Sequence, residues 1–146
     1  MSTTPAYDPS NIFGRILRGE IPSHTVYEDT IALAIMDVMP QSEGHTLVIP
    51  KAPSRNLLDA DPAALSGLLE VVQKVARAAR VAFGADGVSL MQFNESAAGQ
   101  TVFHLHFHVI PRFSGQPLRA HTGAMEKPEI LAAGAEKLRQ ALASLA

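Results

Sequence analysis

The sequence of 146 residues lacks cysteine and tryptophan, and it has no apolar run approaching the roughly 20 residues of a membrane-spanning helix. The absence of cysteine excludes disulfide bonds, thiolate catalysis and cysteine-ligated zinc. No pattern of charged, then apolar, then small residues typical of a signal peptide opens the chain. We therefore expect a cytoplasmic protein with no membrane partner.

The chain also lacks an excess of charge of either sign, since 12 basic and 14 acidic residues leave a formal net charge of −2. Non-specific binding of nucleic acid depends on many lysine and arginine contacts to phosphates, so we expect no nucleic-acid partner. A partner that carries phosphate would then be a small molecule. The length fits one domain, which we place at residues 10–146 behind a loose tail at 1–9.

The most distinctive stretch is His104-Leu105-His106-Phe107-His108-Val109-Ile110. Its alternation predicts a strand with three imidazoles on one face and core residues on the other. Imidazoles side by side pack poorly and need polar partners. The partner is either a metal such as zinc or an anion such as phosphate, which one imidazole nitrogen would attack as a nucleophile. We favour a ligand site over solvated surface histidines, and the residues alone leave metal and phosphate open.

The other elements follow from apolar periodicity and from the positions of glycine and proline. The sequence predicts these in chain order: a helix at 10–19, strands at 25–28, 31–36 and 45–49, a long helix between Asp59 and Gly84, a strand at 88–93 pairing with the histidine strand, and a helix from Pro128. Pro50 and Pro111 are expected to end their strands. Residues 112–127 are predicted to be irregular.

Three further sites carry candidate ligand contacts. Ile12, Phe13 and Ile16 share a helix face that either packs in the core or lines a pocket for a flat apolar group. Asp37 follows an apolar strand and either forms a turn, which turn statistics favour, or accepts hydrogen bonds from ligand hydroxyls. The loop at 94–101 is rich in small residues, and its backbone N–H groups predict a phosphate cradle beside the histidines.

The stretch at 104–110 fits the pattern His-φ-His-φ-His-φ-φ, in which φ is apolar, without a substitution. Further matches are Asn11-Ile12-Phe13, Gly19-Glu20-Ile21-Pro22, Asp37, the run from Gly44 to Lys51, and Gly99-Gln100-Thr101. On these residues the chain resembles the histidine triad superfamily of nucleotide-binding hydrolases and transferases. The resemblance implies an α+β fold with a meandering antiparallel sheet, a long central helix packed on it and a C-terminal helix.

The resemblance also implies roles for individual residues. His106 matches the nucleophile, His108 a histidine on the phosphate and leaving-group side, and His104 and His45 the histidines that hold the triad. Asp37 matches the acceptor of ribose hydroxyls, which reverses the preference for a turn former. The remaining matches are Asn94, Gly99, Gln100 and Thr101 for the phosphate-side loop, and Ile12, Phe13, Ile16, Ile35 and Val38 for the base pocket.

By the same resemblance, the substrate is a purine nucleotide conjugate such as a nucleoside 5′-phosphoramidate, and the protein is a homodimer. We expect no metal or other cofactor to take part. Many bacterial relatives have Cys-x-x-Cys where this chain has Asn11 and Gly14, and histidine at Pro53, so we expect no structural zinc. A dinucleoside polyphosphate hydrolase is the alternative enzyme, and a non-catalytic nucleotide- or metal-binding module is the alternative of another class.

Overall fold

A computed structural model describes residues 5–120 and 124–146 of the chain. Its elements in chain order are α1 (Ile12–Leu17), β1 (Thr25–Glu28), β2 (Ala32–Met36), β3 (Thr46–Pro50), α2 (Pro62–Phe83), β4 (Gly87–Met91), β5 (Phe107–Arg112) and α3 (Pro128–Leu145). Two short 3-10 turns, Leu57–Asp59 and Ser96–Ala98, lie in the connections. The predicted α+β class, with a long central helix and a C-terminal helix, is confirmed.

The strands form a sheet in the order β1-β2-β3-β5-β4, and each neighbouring pair is antiparallel. The chain meanders through the first three strands. The β4–β5 hairpin, which the sequence predicted, then returns so that β5 pairs with β3 and β4 takes the edge. Leu47 on β3 lies opposite His108 on β5, so the histidines lie next to a central strand.

Helices cover both faces of the sheet. The long helix α2 begins where Asp61 accepts a hydrogen bond from the Ala63 N–H, with Pro62 in the first position, and it ends at Gly84 in the left-handed conformation. Its apolar stripe and that of α3 pack on one face, in a core that includes Val48 and Val109. The short helix α1 packs on the other face.

The strand β5 differs from the prediction at both ends. It begins at Phe107, so His104 and His106 precede it, and it runs through Pro111 to Arg112. Proline fits inside this strand because β3 pairs with β5 only as far as Val109. At Pro111 the missing N–H therefore interrupts no pairing with β3, and Pro111 lies opposite Val88 on β4.

The segment at 112–127 is largely irregular, as expected, although residues 121–123 of it lie outside the described residues. The Arg119 N–H donates to the Gln41 carbonyl at 2.8 Å, and the Glu126 N–H donates to the Val38 carbonyl at 2.9 Å. These bonds attach the segment to the loop that follows β2.

Residues 1–4 of the predicted tail also lie outside the described part of the chain. Two of the described tail residues accept hydrogen bonds. The Asp8 carboxylate accepts from the Ser10 N–H, and the Pro9 carbonyl accepts from the Arg18 side chain. Tyr7 reaches the site described below.

Across residues 5–120 and 124–146, no helix is both long enough and apolar enough to cross a membrane. The cytoplasmic location stays a prediction.

Candidate active site

The three histidines of the motif lie where the chain enters β5, on the sheet face that α1 covers. His104, His106 and His108 are between 1% and 9% exposed, and His45, the residue before β3, is fully buried. Buried imidazoles need defined hydrogen-bond partners, and those partners identify which nitrogen of each neutral ring carries the hydrogen. The histidines are therefore buried, and they are not the solvated surface residues that the sequence analysis considered the less favoured interpretation.

His106 is held by the backbone of His104 and by α1. Its Nδ1 lies 2.7 Å from the carbonyl oxygen of His104, which can only accept, so Nδ1 carries the hydrogen. The lone pair of the neutral ring is then on Nε2. The Phe13 ring stands edge-on to this imidazole, with 4.8 Å between ring centroids. His106 thus has the tautomer that a nitrogen nucleophile requires.

His45 and His108 form a hydrogen-bonded pair with a defined direction. The Gln41 N–H donates to Nδ1 of His45 at 3.0 Å, so the hydrogen of neutral His45 is on Nε2. That Nε2 lies 2.9 Å from Nδ1 of His108 and donates to it. The hydrogen of neutral His108 is therefore on its own Nε2. A backbone N–H orients two successive rings, and the second of them is a hydrogen-bond donor.

Asp37 forms a turn and also contacts His45, and its role as an acceptor of ribose hydroxyls stays a prediction. Its Oδ1 accepts a hydrogen bond from the Met39 N–H at 2.9 Å, which shapes the turn after β2. Its Oδ2 lies 3.4 Å from Nε2 of His45, and the residue is buried. The carboxylate therefore stands beside the His45–His108 pair.

The set of Asp37, His45 and His108 also has the donor chemistry of a zinc site, since it offers one carboxylate and two imidazoles whose ligand atoms lie within 4.8 Å of one another. His45 Nε2 and His108 Nδ1 are hydrogen-bonded to each other at 2.9 Å. A metal bound through these two nitrogens would have to replace that bond.

His104 is fixed from both sides. Its Nε2 donates to the Pro50 carbonyl at 2.8 Å, and its Nδ1 accepts from the Tyr7 hydroxyl at 2.7 Å. Burial lowers the pKa of His104 below its ordinary value, and the bond to the Pro50 carbonyl partly opposes this change. Neutral His104 is therefore a fixed support for the peptide that holds His106.

A polar network supports the loop at 94–101 from beneath. Gln100 is buried, and its side-chain amide bonds to Asn56, the Glu95 N–H and two carbonyls. Arg55 forms a two-point ion pair with Glu95, which holds the pKa of that carboxyl below its usual value. Glu95 takes a positive φ of 73°. These contacts fix the shape of the loop beside the histidines.

Some of the predicted loop residues use their polar groups in contacts within the chain. The Gln100 side chain is committed to the network, and Asn94 bonds to Gln92 and to the Leu57 N–H. The N–H groups of Gly99 and Gln100 donate to carbonyls within the loop, which differs from the open cradle of backbone donors that we expected. Gly99 and Thr101 are exposed.

The predicted base-pocket residues fall into two groups. Phe13 and Ile35 are buried in an apolar cluster against which Ile16 packs. Ile12 and Val38 are 47% and 38% exposed, so their side chains are accessible at the surface. The α1 face therefore combines core packing with accessible apolar surface, where the sequence treated these roles as alternatives.

Sequence reasoning missed four residues that support the site: Tyr7, Arg55, Asn56 and Glu95. Each is joined to its partners by contacts between segments far apart in the chain, such as the 39 positions that separate Asn56 from Glu95. No local pattern signals such a contact.

Comparisons with known proteins agree with this geometry. The family model described as HIT domain matches residues 18–115. An uncharacterised HIT-like protein of Mycobacterium tuberculosis is 42% identical over 134 residues, covering 90% of this chain and 92% of the relative. The Arabidopsis thaliana protein named adenylylsulfatase HINT3 is 36% identical over 122 residues, covering 80% of this chain and 62% of the relative.

The same agreement is found among solved structures. A HIT-like protein of Bartonella henselae, described as involved in cell-cycle regulation, superimposes with a TM-score of 0.88 at 54% identity and covers 93% of this chain and 99% of that one. The chain therefore belongs to the histidine triad (HIT) family, a family of nucleotide-binding hydrolases and transferases.

Proposed function

We propose that this protein hydrolyses nucleotide conjugates of the phosphoramidate type at the α-phosphate, with His106 as the nucleophile. The observation that carries the proposal is the tautomer of His106, whose Nδ1–H is held by the His104 carbonyl at 2.7 Å. An imidazole with an ordinary pKa of about 6.5 is a competent nucleophile near neutral pH.

The reaction then proceeds in two displacements. His106 Nε2 forms a bond to the α-phosphorus while the bond from phosphorus to the leaving-group nitrogen breaks, and the departing amine takes a proton from the surrounding water. The Nε2–H of His108 donates a hydrogen bond on the phosphate and leaving-group side and keeps its hydrogen. Water next attacks the nucleotidyl-histidine, loses a proton to the surrounding water, and releases the nucleoside monophosphate and neutral His106. The covalent intermediate divides one difficult displacement into two easier ones.

We place the rest of the substrate against the exposed residues of the loop at 94–101 and of the predicted base pocket. We place the phosphate oxygens beside the loop residues Gly99 and Thr101, and the purine against Ile12 and Val38. Asp37 would accept the ribose hydroxyls through a carboxylate that already bonds to the Met39 N–H.

The test is release of AMP, in the presence of EDTA, from adenosine 5′-phosphoramidate, adenylyl sulfate and a diadenosine polyphosphate. The sulfate is included because a relative is named an adenylylsulfatase. We expect the phosphoramidate to be cleaved fastest and His106→Ala to abolish turnover while AMP binding survives. His24→Ala is the matched control, since His24 lies outside the triad. Preference for the dinucleotide would indicate the alternative hydrolase, and binding without release from any substrate would indicate a nucleotide-binding module.

We also propose that two copies of the chain form a homodimer through the β4 edge of the sheet. Leu90 on the edge strand β4 and Leu69 on α2 are about half exposed. Edge strands with exposed apolar residues favour pairing with another chain. Light scattering should give the mass of a dimer for the wild type and that of a monomer for Leu90→Lys. A monomeric wild type at micromolar concentration would contradict this proposal.

A further inference from the structure

Tyr7 lies in the segment expected to be a loose tail, yet it contacts the buried triad. Its hydroxyl is 2.7 Å from Nδ1 of His104, a residue 97 positions away in the chain. The same hydroxyl accepts a hydrogen bond from Asn11 Nδ2 at 3.0 Å. The tyrosine ring is half-buried and stands edge-on to the imidazole, with 5.5 Å between centroids. Both the ring and the hydroxyl of Tyr7 therefore pack against His104.

The hydrogen bonds around His104 run in one direction. The Pro50 carbonyl can only accept, so Nε2 of His104 carries the hydrogen and Nδ1 must accept. The Asn11 amide can only donate through Nδ2, so the Tyr7 hydroxyl accepts there and donates its own hydrogen to Nδ1. One tautomer of neutral His104 satisfies all of these partners.

His104 in turn holds His106, because the His104 carbonyl accepts the Nδ1–H of His106 at 2.7 Å. We propose that Tyr7 is a positioning residue, which holds His104 in its Nε2–H tautomer so that the His104 carbonyl keeps the lone pair of His106 directed at the reacting phosphorus. This role rests on the proposed function of His106. Tyr7 itself acts only through His104.

A second contact extends the same support to α1. Asn11 begins that helix, since its Oδ1 accepts a hydrogen bond from the Gly14 N–H at 2.9 Å. The helix carries Phe13, whose ring contacts the His106 imidazole. A Cβ atom added at Gly14 would lie 2.8 Å from the Pro9 carbonyl, so the helix and the segment before it are closely packed. Tyr7 and Asn11 therefore link both supports of His106.

The test compares Tyr7→Phe with Tyr27→Phe, the chain having only these two tyrosines. Tyr27 donates its hydroxyl to Asp29, which is not part of the site, so its variant is a matched control for the loss of one hydroxyl. Nitrogen-15 NMR of the histidine rings reports their tautomers, and steady-state kinetics with adenosine 5′-phosphoramidate reports kcat and KM separately.

In the wild type we expect His104 to carry its hydrogen on Nε2 and to accept at Nδ1. Tyr7→Phe should shift the His104 Nδ1 resonance and lower kcat about fivefold to tenfold, with KM changed less than about twofold, because one oriented hydrogen bond is lost. Tyr27→Phe should leave the histidine resonances and both kinetic constants unchanged.

Three outcomes would overturn the proposal. A hydrogen on Nδ1 of His104 in the wild type would contradict the direction of the Tyr7 bond, even if the variant did not fold. A kcat for Tyr7→Phe equal to that of Tyr27→Phe would show that the bond does not position His106. A higher KM with unchanged kcat would make Tyr7 a nucleotide contact. Absence of turnover in the wild type refutes the proposed function instead, while the tautomers still test Tyr7.

Discussion

Replacing Gln100 by methionine should destabilise the protein strongly, because this buried amide satisfies its complete hydrogen-bonding capacity inside the chain. Its Oε1 accepts from Asn56 Nδ2 at 3.0 Å and from the Glu95 N–H at 2.8 Å. Its Nε2 donates to the carbonyls of Arg55 and Val102 at 2.8 and 3.0 Å. Methionine has a similar length and preserves the packing without making any of these four bonds.

The magnitude follows from the partners that remain. Asn56 Nδ2 keeps its bond to Glu95. The Glu95 N–H and the carbonyls of Arg55 and Val102 lose the bond that the buried Gln100 amide made to each of them. At about 1 kcal/mol for each lost bond, the free energy of unfolding should fall by about 3 to 4 kcal/mol. For a chain of this length that corresponds to a Tm lower by about 10 °C.

Urea denaturation and thermal unfolding measure this change directly. Gln140→Met is the matched control, because Gln140 is exposed on α3 and makes one side-chain bond to Glu136 at 3.2 Å. We expect that control to change the free energy of unfolding by less than about 0.5 kcal/mol. A loss below about 1 kcal/mol for Gln100→Met would refute the view that this network fixes the loop.

Two further predictions concern stability. Gly44→Ala should cost more than about 2 kcal/mol in urea denaturation, because φ is +84° and the new Cβ would lie 2.4 Å from the Phe83 ring. Gly84→Ala, with φ of +60° and no atom within 4 Å of its Cβ, should cost only about 1 kcal/mol, and equal losses would contradict the steric argument. Burial lowers the pKa of His104, so the stability that neutral His104 contributes is present above its unfolded pKa of about 6.5 and is lost as the pH falls below it. The free energy of unfolding should therefore fall less between pH 7.5 and 5.5 in His104→Gln than in the wild type, and parallel pH profiles would show that His104 is not the group responsible.

Most helices and strands could be predicted from the sequence, because the residues that begin and end them act on their immediate neighbours in the chain. Asp61, Pro62 and Gly84 define the ends of α2 by capping rules that involve only neighbouring residues. The error at Pro111 arose because the cost of proline in a strand depends on whether both of its sides are paired. The pairing of β5 with β3 reaches only Val109, opposite the first residue of β3, so Pro111 is paired on one side alone. Strand pairing is a property of the whole sheet, which no local pattern contains.

The histidines of the candidate site could be predicted from the sequence, but most of the residues that hydrogen-bond to them could not. Alternation identified His106 and the core residues between the histidines, but the tautomers depend on the carbonyls of His104 and Pro50 and on the Tyr7 hydroxyl. Gln100 was expected beside a ligand and instead holds the loop, because an amide offers the same groups to either partner. Only the folded arrangement decides between them.

The measurement that tests the role of His106 most directly is the stereochemical course at the α-phosphorus. A nucleoside phosphoramidate made chiral by sulfur at the α-phosphorus is hydrolysed in water enriched in oxygen-18, and the configuration of the product is determined. Two successive in-line displacements through His106 predict net retention of configuration. Net inversion would show direct attack by water and would contradict a nucleotidyl-histidine intermediate.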